Sequence, residues 1–254
     1  MKLFFLVIAV LVYVTHGWQN LFPVFSQTSI GKPRSPKVVE LEEQLLKAID
    51  ELGDERLANS KKVNSLISEL ERSDESIPRP AIAPEVYGRW RLIHTNNADT
   101  ASPIQRKAVS SSSFPIFQDI NFNSNNQLVV SQIVKFTEKV ELKVEALAST
   151  SAYPLPELTE RKGDGKILGL NILGVSKVGD DANPDPSRPD SRIDFVFDEG
   201  KFNFGSGFSV PYPVPFRLPI LRDTVKGWID ITYLSDRMRI SKGNKGTTFV
   251  LVKE

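Results

Sequence analysis

The sequence contains no cysteine. That absence excludes disulfide staples, thiolate zinc sites, iron–sulfur clusters and a Cys nucleophile. Histidine is almost as scarce, with only His16 and His94, so clusters of imidazole metal ligands are absent and no metal is expected. A Ser-His-Asp triad would have to be built around a histidine on an alternating strand. Charge of one sign is not in excess either: 32 basic against 31 acidic residues leave a formal net charge of +1. Without a basic run to track phosphates, nucleic acid is not an expected partner. Apolar runs are short. Leu3 to Val14, behind Met1-Lys2, is about 12 residues, too few for a comfortable membrane span but right for a signal-peptide core.

Residues 1–17 read as a signal peptide, with a cut near Thr15-His16-Gly17 that makes Trp18 the new N-terminus. A buried helix or strand is the other reading of that run. From Trp18 to Val39 there is no acidic residue, while Ser26, Thr28, Ser29 and Ser35 alternate with Lys32, Arg34 and Lys37. This acid-poor, basic, hydroxylated composition marks residues 18–36 as a transit-peptide-like segment. The two together resemble the bipartite presequence of complex plastids, with Trp where Phe is usual. A secretory leader followed by a disordered spacer is the alternative.

Residues 37–76 carry apolar side chains at helical spacing: Val38, Leu41, Leu45, Leu46 and Ile49, then, beyond Gly53, Leu57, Val63, Leu66, Ile67 and Leu70. Two amphipathic helices are expected. Their polar faces mix both signs of charge, which favours a lid packed on the rest of the protein over a membrane-surface pair. Pro78 to Pro84 mark a boundary, after which the periodicity becomes alternating. Val140 to Ala148 is the clearest strand, with its even positions facing inward. Similar runs occur at 89–95, 127–136, 166–178, 192–197, 201–204, 227–234, 237–242 and 247–253. Strands without helices between them exclude a parallel sheet and predict a mainly β fold over residues 85–254, an antiparallel barrel or sandwich behind a short helical segment. A barrel of eight or nine strands is wide enough for one small apolar ligand.

Sites with chemistry are few. His94 shares a strand face with Trp90 and Leu92 and reads as an interior or rim polar residue. Gly163-Asp164-Gly165-Lys166 lacks P-loop spacing and reads as a hairpin turn. Asp180 to Asp185 lacks the EF-hand order, and Asp198-Glu199 before Gly200 reads as a solvated turn. The connection from Phe202 to Leu221 is apolar and aromatic, with Pro211, Pro213, Pro215 and Pro219 excluding a central strand or a helix. It either closes one end of the core or forms a portal or membrane contact through Phe208, Tyr212, Phe216 and Leu218. In the C-terminal hairpin, a turn at Ser235-Asp236 places Thr232 opposite Arg239 and Asp230 diagonal to it. Such an Asp-Arg pair either binds a polar headgroup or satisfies itself and locks the hairpin.

Gly88-Arg89-Trp90 resembles the Gly-x-Trp opening of lipocalin-type barrels, where the Trp packs at the closed end and a late-strand Arg stacks across it. Arg239 is the candidate partner. Tyr87 to Thr95, Ser102-Pro103-Ile104-Gln105-Arg106, and the run Trp228 to Val252 with its Gly-Asn-Lys-Gly-Thr-x-Phe-Val-Leu ending together resemble the plastid lipid-associated proteins, the PAP/fibrillin family, over Val38 to Val252. Ile231 stands where that family often has Thr. The resemblance implies a lipocalin-like barrel in plastids, at plastoglobules or thylakoid membranes, holding an isoprenoid or acyl lipid in a structural or carrier role. It brings no catalytic residue and no cofactor. The candidate lumen face is then Trp90, His94, Asp230, Thr232 and Arg239. A lipid- or carotenoid-modifying enzyme using carboxylates at the barrel mouth, and a secreted lipocalin-type carrier, are the alternative functions.

Overall fold

The computed structural model describes residues 34–57, 59–96, 109, 112–156, 158, 184–213, 215–222, 224–243 and 246–254. The expected signal peptide and most of the transit-like segment lie outside these residues. So do the strand expected over 166–178, the Gly163 turn, the Ser102 motif and Asp180 to Asn183.

Two helices come first. Helix α1 (Pro36–Asp50) begins where the Ser35 hydroxyl accepts the Val38 N–H at 3.3 Å, and Pro36 supplies a preset φ in the first turn. Helix α2 (Lys61–Arg72) is capped in the same way by Ser60. Between them Gly53 takes a φ of +65°, the left-handed conformation that lets the chain leave α1. Val38, Leu45, Ala48 and Ile49 of α1 and Val63, Leu66, Ile67 and Leu70 of α2 form one cluster with Tyr233, Met238, Ile240 and Val250. Each such side chain contributes about 1.5–3 kcal/mol by leaving water. The helices therefore cover a side wall of the sheet rather than its mouth.

The strands are β1 (Gly88–Thr95), β2 (Ile116–Phe122), β3 (Leu128–Lys135), β4 (Val140–Ser149), β5 (Arg192–Phe204), β6 (Phe208–Pro211), β7 (Lys226–Leu234), β8 (Met238–Gly243) and β9 (Thr248–Lys253). All pair antiparallel in the order β4-β3-β2-β1-β9-β8-β7-β5-β6, and β4 also pairs with β5. That pairing closes β1 to β5 and β7 to β9 into an eight-stranded barrel, with β6 appended to the outer half of β5. A short helix, α3 (Pro219–Arg222), leads back from β6 to β7.

Three of these strands, and α3, differ from the sequence-based expectation. The connection expected to be a loop without a helix holds β6, an edge strand, and α3, which starts at Pro219, where the missing N–H costs no helical bond. Strand β2 is not foreseen by alternation, because Gln118 interrupts its inward apolar series. Residues 192–204 form one strand rather than two: Glu145 pairs with Glu199 and Ala146 with Phe197, so Asp198 is the extra residue of a bulge and not part of a turn. The interior is lined by Leu142, Val144 and Ala148 of β4 with Trp90, Ile120, Val130, Ile193, Ile229, Ile231 and Leu251.

Candidate functional site

The up-and-down connectivity gives the barrel two distinct ends. One holds the start of β1 and the end of β9. There Trp90 is fully buried, its Nε1 donating to the Val86 carbonyl at 2.8 Å. The Arg239 guanidinium lies 4.9 Å and the Lys253 ammonium 4.4 Å from the Trp90 ring centroid. Lys253 donates to the carbonyls of Glu85 and Tyr87, while Arg239 donates to Gln118 Oε1. Burial pushes the Arg239 pKa down to about 9. Burial, with the neighbouring charge of Arg239, pushes Lys253 down to about 8. Sequence pattern alone does not single out Gln118 or Lys253, although both lie directly opposite Trp90 in the register.

The remaining expected lumen residues do not join this pair. Ser235 donates its N–H to the Met238 carbonyl at 2.8 Å, so the hairpin turns at Asp236-Arg237, one residue later than expected. Arg239 pairs with Leu234 and Asp230 with Lys242, while Thr232 falls in a bulge. Its hydroxyl donates to the Ile240 carbonyl at 3.3 Å. Asp230 stands on the outer face, where Arg192 grips both its oxygens at 2.6 and 2.7 Å and stacks 3.9 Å from the centre of the Trp228 ring. The expected Asp230–Arg239 diagonal is therefore replaced by a cross-strand Asp230–Arg192 pair.

His94 also leaves the face of Trp90. A second bulge, at Ile93, sets His94 opposite Val250, a member of the helix-facing cluster. The ring is buried with Nδ1 unpartnered, and burial lowers its pKa, so it favours the neutral form.

The other end of the barrel is closed by the proline-rich connection. Tyr212 and Phe216 are buried and belong to the core. Phe195, Phe197, Phe216, Tyr212 and Phe202 follow one another with ring centroids 5.4–6.0 Å apart. Tyr212 rests on Gly200, where an added Cβ would come within 2.8 Å of the Tyr212 Cβ. Asp198, projecting from the β5 bulge, is paired with Arg217 at 2.6 Å and Arg222 at 3.4 Å, which ties the connection to the barrel rim. The same segment turns Phe208, Val210, Leu218 and Ile220 into solvent, with Ile220 77% and Phe208 61% exposed. Of the expected contact residues, Tyr212 and Phe216 thus close the mouth, and Phe208 and Leu218 face outward. Among the described residues no group of three or more His, Asp or Glu side chains is arranged to hold a metal.

The model of the PAP_fibrillin family matches residues 39–252. The chain belongs to this family. A probable plastid-lipid-associated protein 12, chloroplastic, of Arabidopsis thaliana is 40% identical over 219 residues, which make up 82% of this chain and 44% of that protein. A chromoplast-specific carotenoid-associated protein C1 of an Oncidium hybrid cultivar is 25% identical over 210 residues, 76% of this chain and 61% of its own length. A light-induced chloroplastic protein of Solanum tuberosum is 25% identical over 240 residues, 87% of this chain and 70% of that protein. This PAP/fibrillin chain spans less than half the length of its Arabidopsis relative. No solved structure shows a significant match to it.

Proposed function

We propose that this PAP/fibrillin protein is a non-enzymatic lipid carrier of the plastid, holding an isoprenoid or acyl lipid in its barrel at a plastoglobule or thylakoid surface. The observation that carries the reading is the segment from Phe202 to Leu221. It seals the barrel mouth with Tyr212 and Phe216 and presents Phe208, Val210, Leu218 and Ile220 outward at the same end. A lipid entering or leaving the barrel would cross between these two apolar faces without meeting water. A carrier role is also supported by the inward positions of the described strands, which hold no carboxylate for acid–base chemistry. At the rim, Asp198 is committed to arginines. Plastid residence is supported by the relatives' names, chloroplastic and chromoplastic, and by the composition of residues 18–36.

Flotation with galactolipid vesicles tests the surface. Replacing Phe208, Leu218 and Ile220 together by Ser is expected to abolish co-flotation, while the melting temperature stays close to that of the parent because the removed groups are exposed. Undiminished flotation would remove this segment as the contact. A fusion of residues 1–36 to a fluorescent protein separates plastid import from secretion.

A further inference from the structure

Among the described residues the Trp90 end of the barrel holds two cations, Arg239 and Lys253, against one nearby carboxylate, that of Glu85, which acts on Lys253 and not on Arg239. Arg239 has no exposed surface, and its Nε and Nη1 find no acceptor; only Nη2 is served, by the neutral amide of Gln118. Lys253 lies over the same ring and is held by two backbone carbonyls, which satisfy hydrogen bonds but bring no net charge. The carboxylates on the surrounding strands are spent outside: Asp119 on Arg89, Asp230 on Arg192 and Glu254 on Arg91. Glu42, by contrast, is buried between Arg34 and Arg237. Leaving a buried donor without an acceptor costs about 1–3 kcal/mol, and more when the donor is charged. Stacking on Trp90 needs one cation, not two, and does not require N–H groups without acceptors.

We propose that Arg239 and Lys253 receive the anionic head of a long-chain carboxylate, whose apolar tail runs along the interior lined by Leu142, Val144 and Phe197. In that complex the carboxylate displaces the Gln118 amide, supplies acceptors to Arg239 and, together with Glu85 near Lys253, balances the two cations. The proposal rests on the carrier reading and names its ligand class: an acid rather than a neutral isoprenoid, alcohol or ester. Burial holds Arg239 below its ordinary pKa, and burial with the charge of Arg239 holds Lys253 below its own; an anion between them would oppose both shifts.

Equilibrium partition of radiolabelled oleate, oleyl alcohol and methyl oleate onto the full chain tests this. Oleate is expected to bind at least about tenfold more tightly than the alcohol or the ester, as charge-assisted hydrogen bonds allow. The preference should fall to about threefold or less in Arg239→Met and in Lys253→Gln. Circular dichroism establishes that each variant is folded. Should Arg239→Met fail to fold, the half-buried Lys253→Gln decides the matter alone. Butyrate, which has the head without the tail, should not compete.

Equal binding of all three oleyl compounds would overturn the head site while leaving the carrier reading intact. An acid preference that survives in the folded variants would overturn it too, as would competition by butyrate equal to that of oleate. Binding of none of the three would overturn the head site and the acyl form of the carrier reading.

Discussion

Glu42 has no exposed surface, a costly place for a carboxylate. Its Oε1 accepts the Tyr233 hydroxyl at 2.7 Å, and its Oε2 accepts Arg34 at 2.6 Å and Arg237 at 2.5 Å. Burial alone would raise its pKa, but hydrogen bonds from Ser235, Arg237 and Tyr233 and the charge of Arg34 outweigh it and hold the carboxyl below its ordinary value. Tyr233 is pushed up by the same burial and by the adjoining carboxylate. Replacing Glu42 by Gln should cost about 3 kcal/mol, because it leaves buried donors facing a neutral group. Tyr233→Phe should cost about 1–2 kcal/mol, and Glu43→Gln, at an exposed partner of Arg237, between about 0 and 1 kcal/mol. Urea titrations give all three, and equal losses at positions 42 and 43 would contradict the network. Tyr233 and Arg237 stand out in the sequence as part of a motif. Glu42 does not, because a glutamate inside an amphipathic helix reads as solvated until the chain 191 residues away is known to pack on it.

Alternation makes most strands legible, and it fails wherever a bulge inserts one residue. Thr232 and Ile93 each shift the face of the residues beyond them in the strand, which is why Asp230 and His94 are expected inside and lie elsewhere. Asp198-Glu199-Gly200 has the composition of a turn, yet it is the stretch of β5 that carries the mouth connection. Gly200 matters there for space: it accepts the Tyr212 N–H at 2.8 Å and leaves no room for a methyl group beneath the Tyr212 side chain. Gly200→Ala should cost about 1–3 kcal/mol as overpacking, and the stretch after β6 should loosen, since Tyr212 and the stacked Phe216 are the side chains that a methyl group at position 200 would push away. Trypsin reads this directly through cleavage after Arg217 and Arg222, which should quicken relative to cleavage in α1 and α2. Unchanged cleavage at both arginines would show that the connection does not depend on Gly200.

The described residues form two apolar clusters, the barrel interior and the helix-covered wall, and acid acts on them in opposite senses. Glu42, whose folded pKa is lowered, contributes stability that is complete above its ordinary value of 4.5 and is lost as pH falls through the folded value. Asp194, in the barrel wall beside Asp230, is raised above 3.8 by burial, so its contribution is present in acid and lost as pH rises. Inside the barrel the shifted groups are cations. Below about pH 8 Lys253 is protonated in both states and the full burial penalty is felt; between about 8 and 10.5 the fold releases the proton first, and stability rises. Lowering the pH below 4.5 should therefore detach α1 and α2 while the barrel strands remain paired. Amide hydrogen exchange at acid and neutral pH distinguishes the two layers, with protection expected to fall across 36–72 and to persist in β3, β4 and β5. Simultaneous loss in helices and strands would mean that the Glu42 network does not set the acid limit, and that the helical layer and the barrel unfold as one cooperative unit.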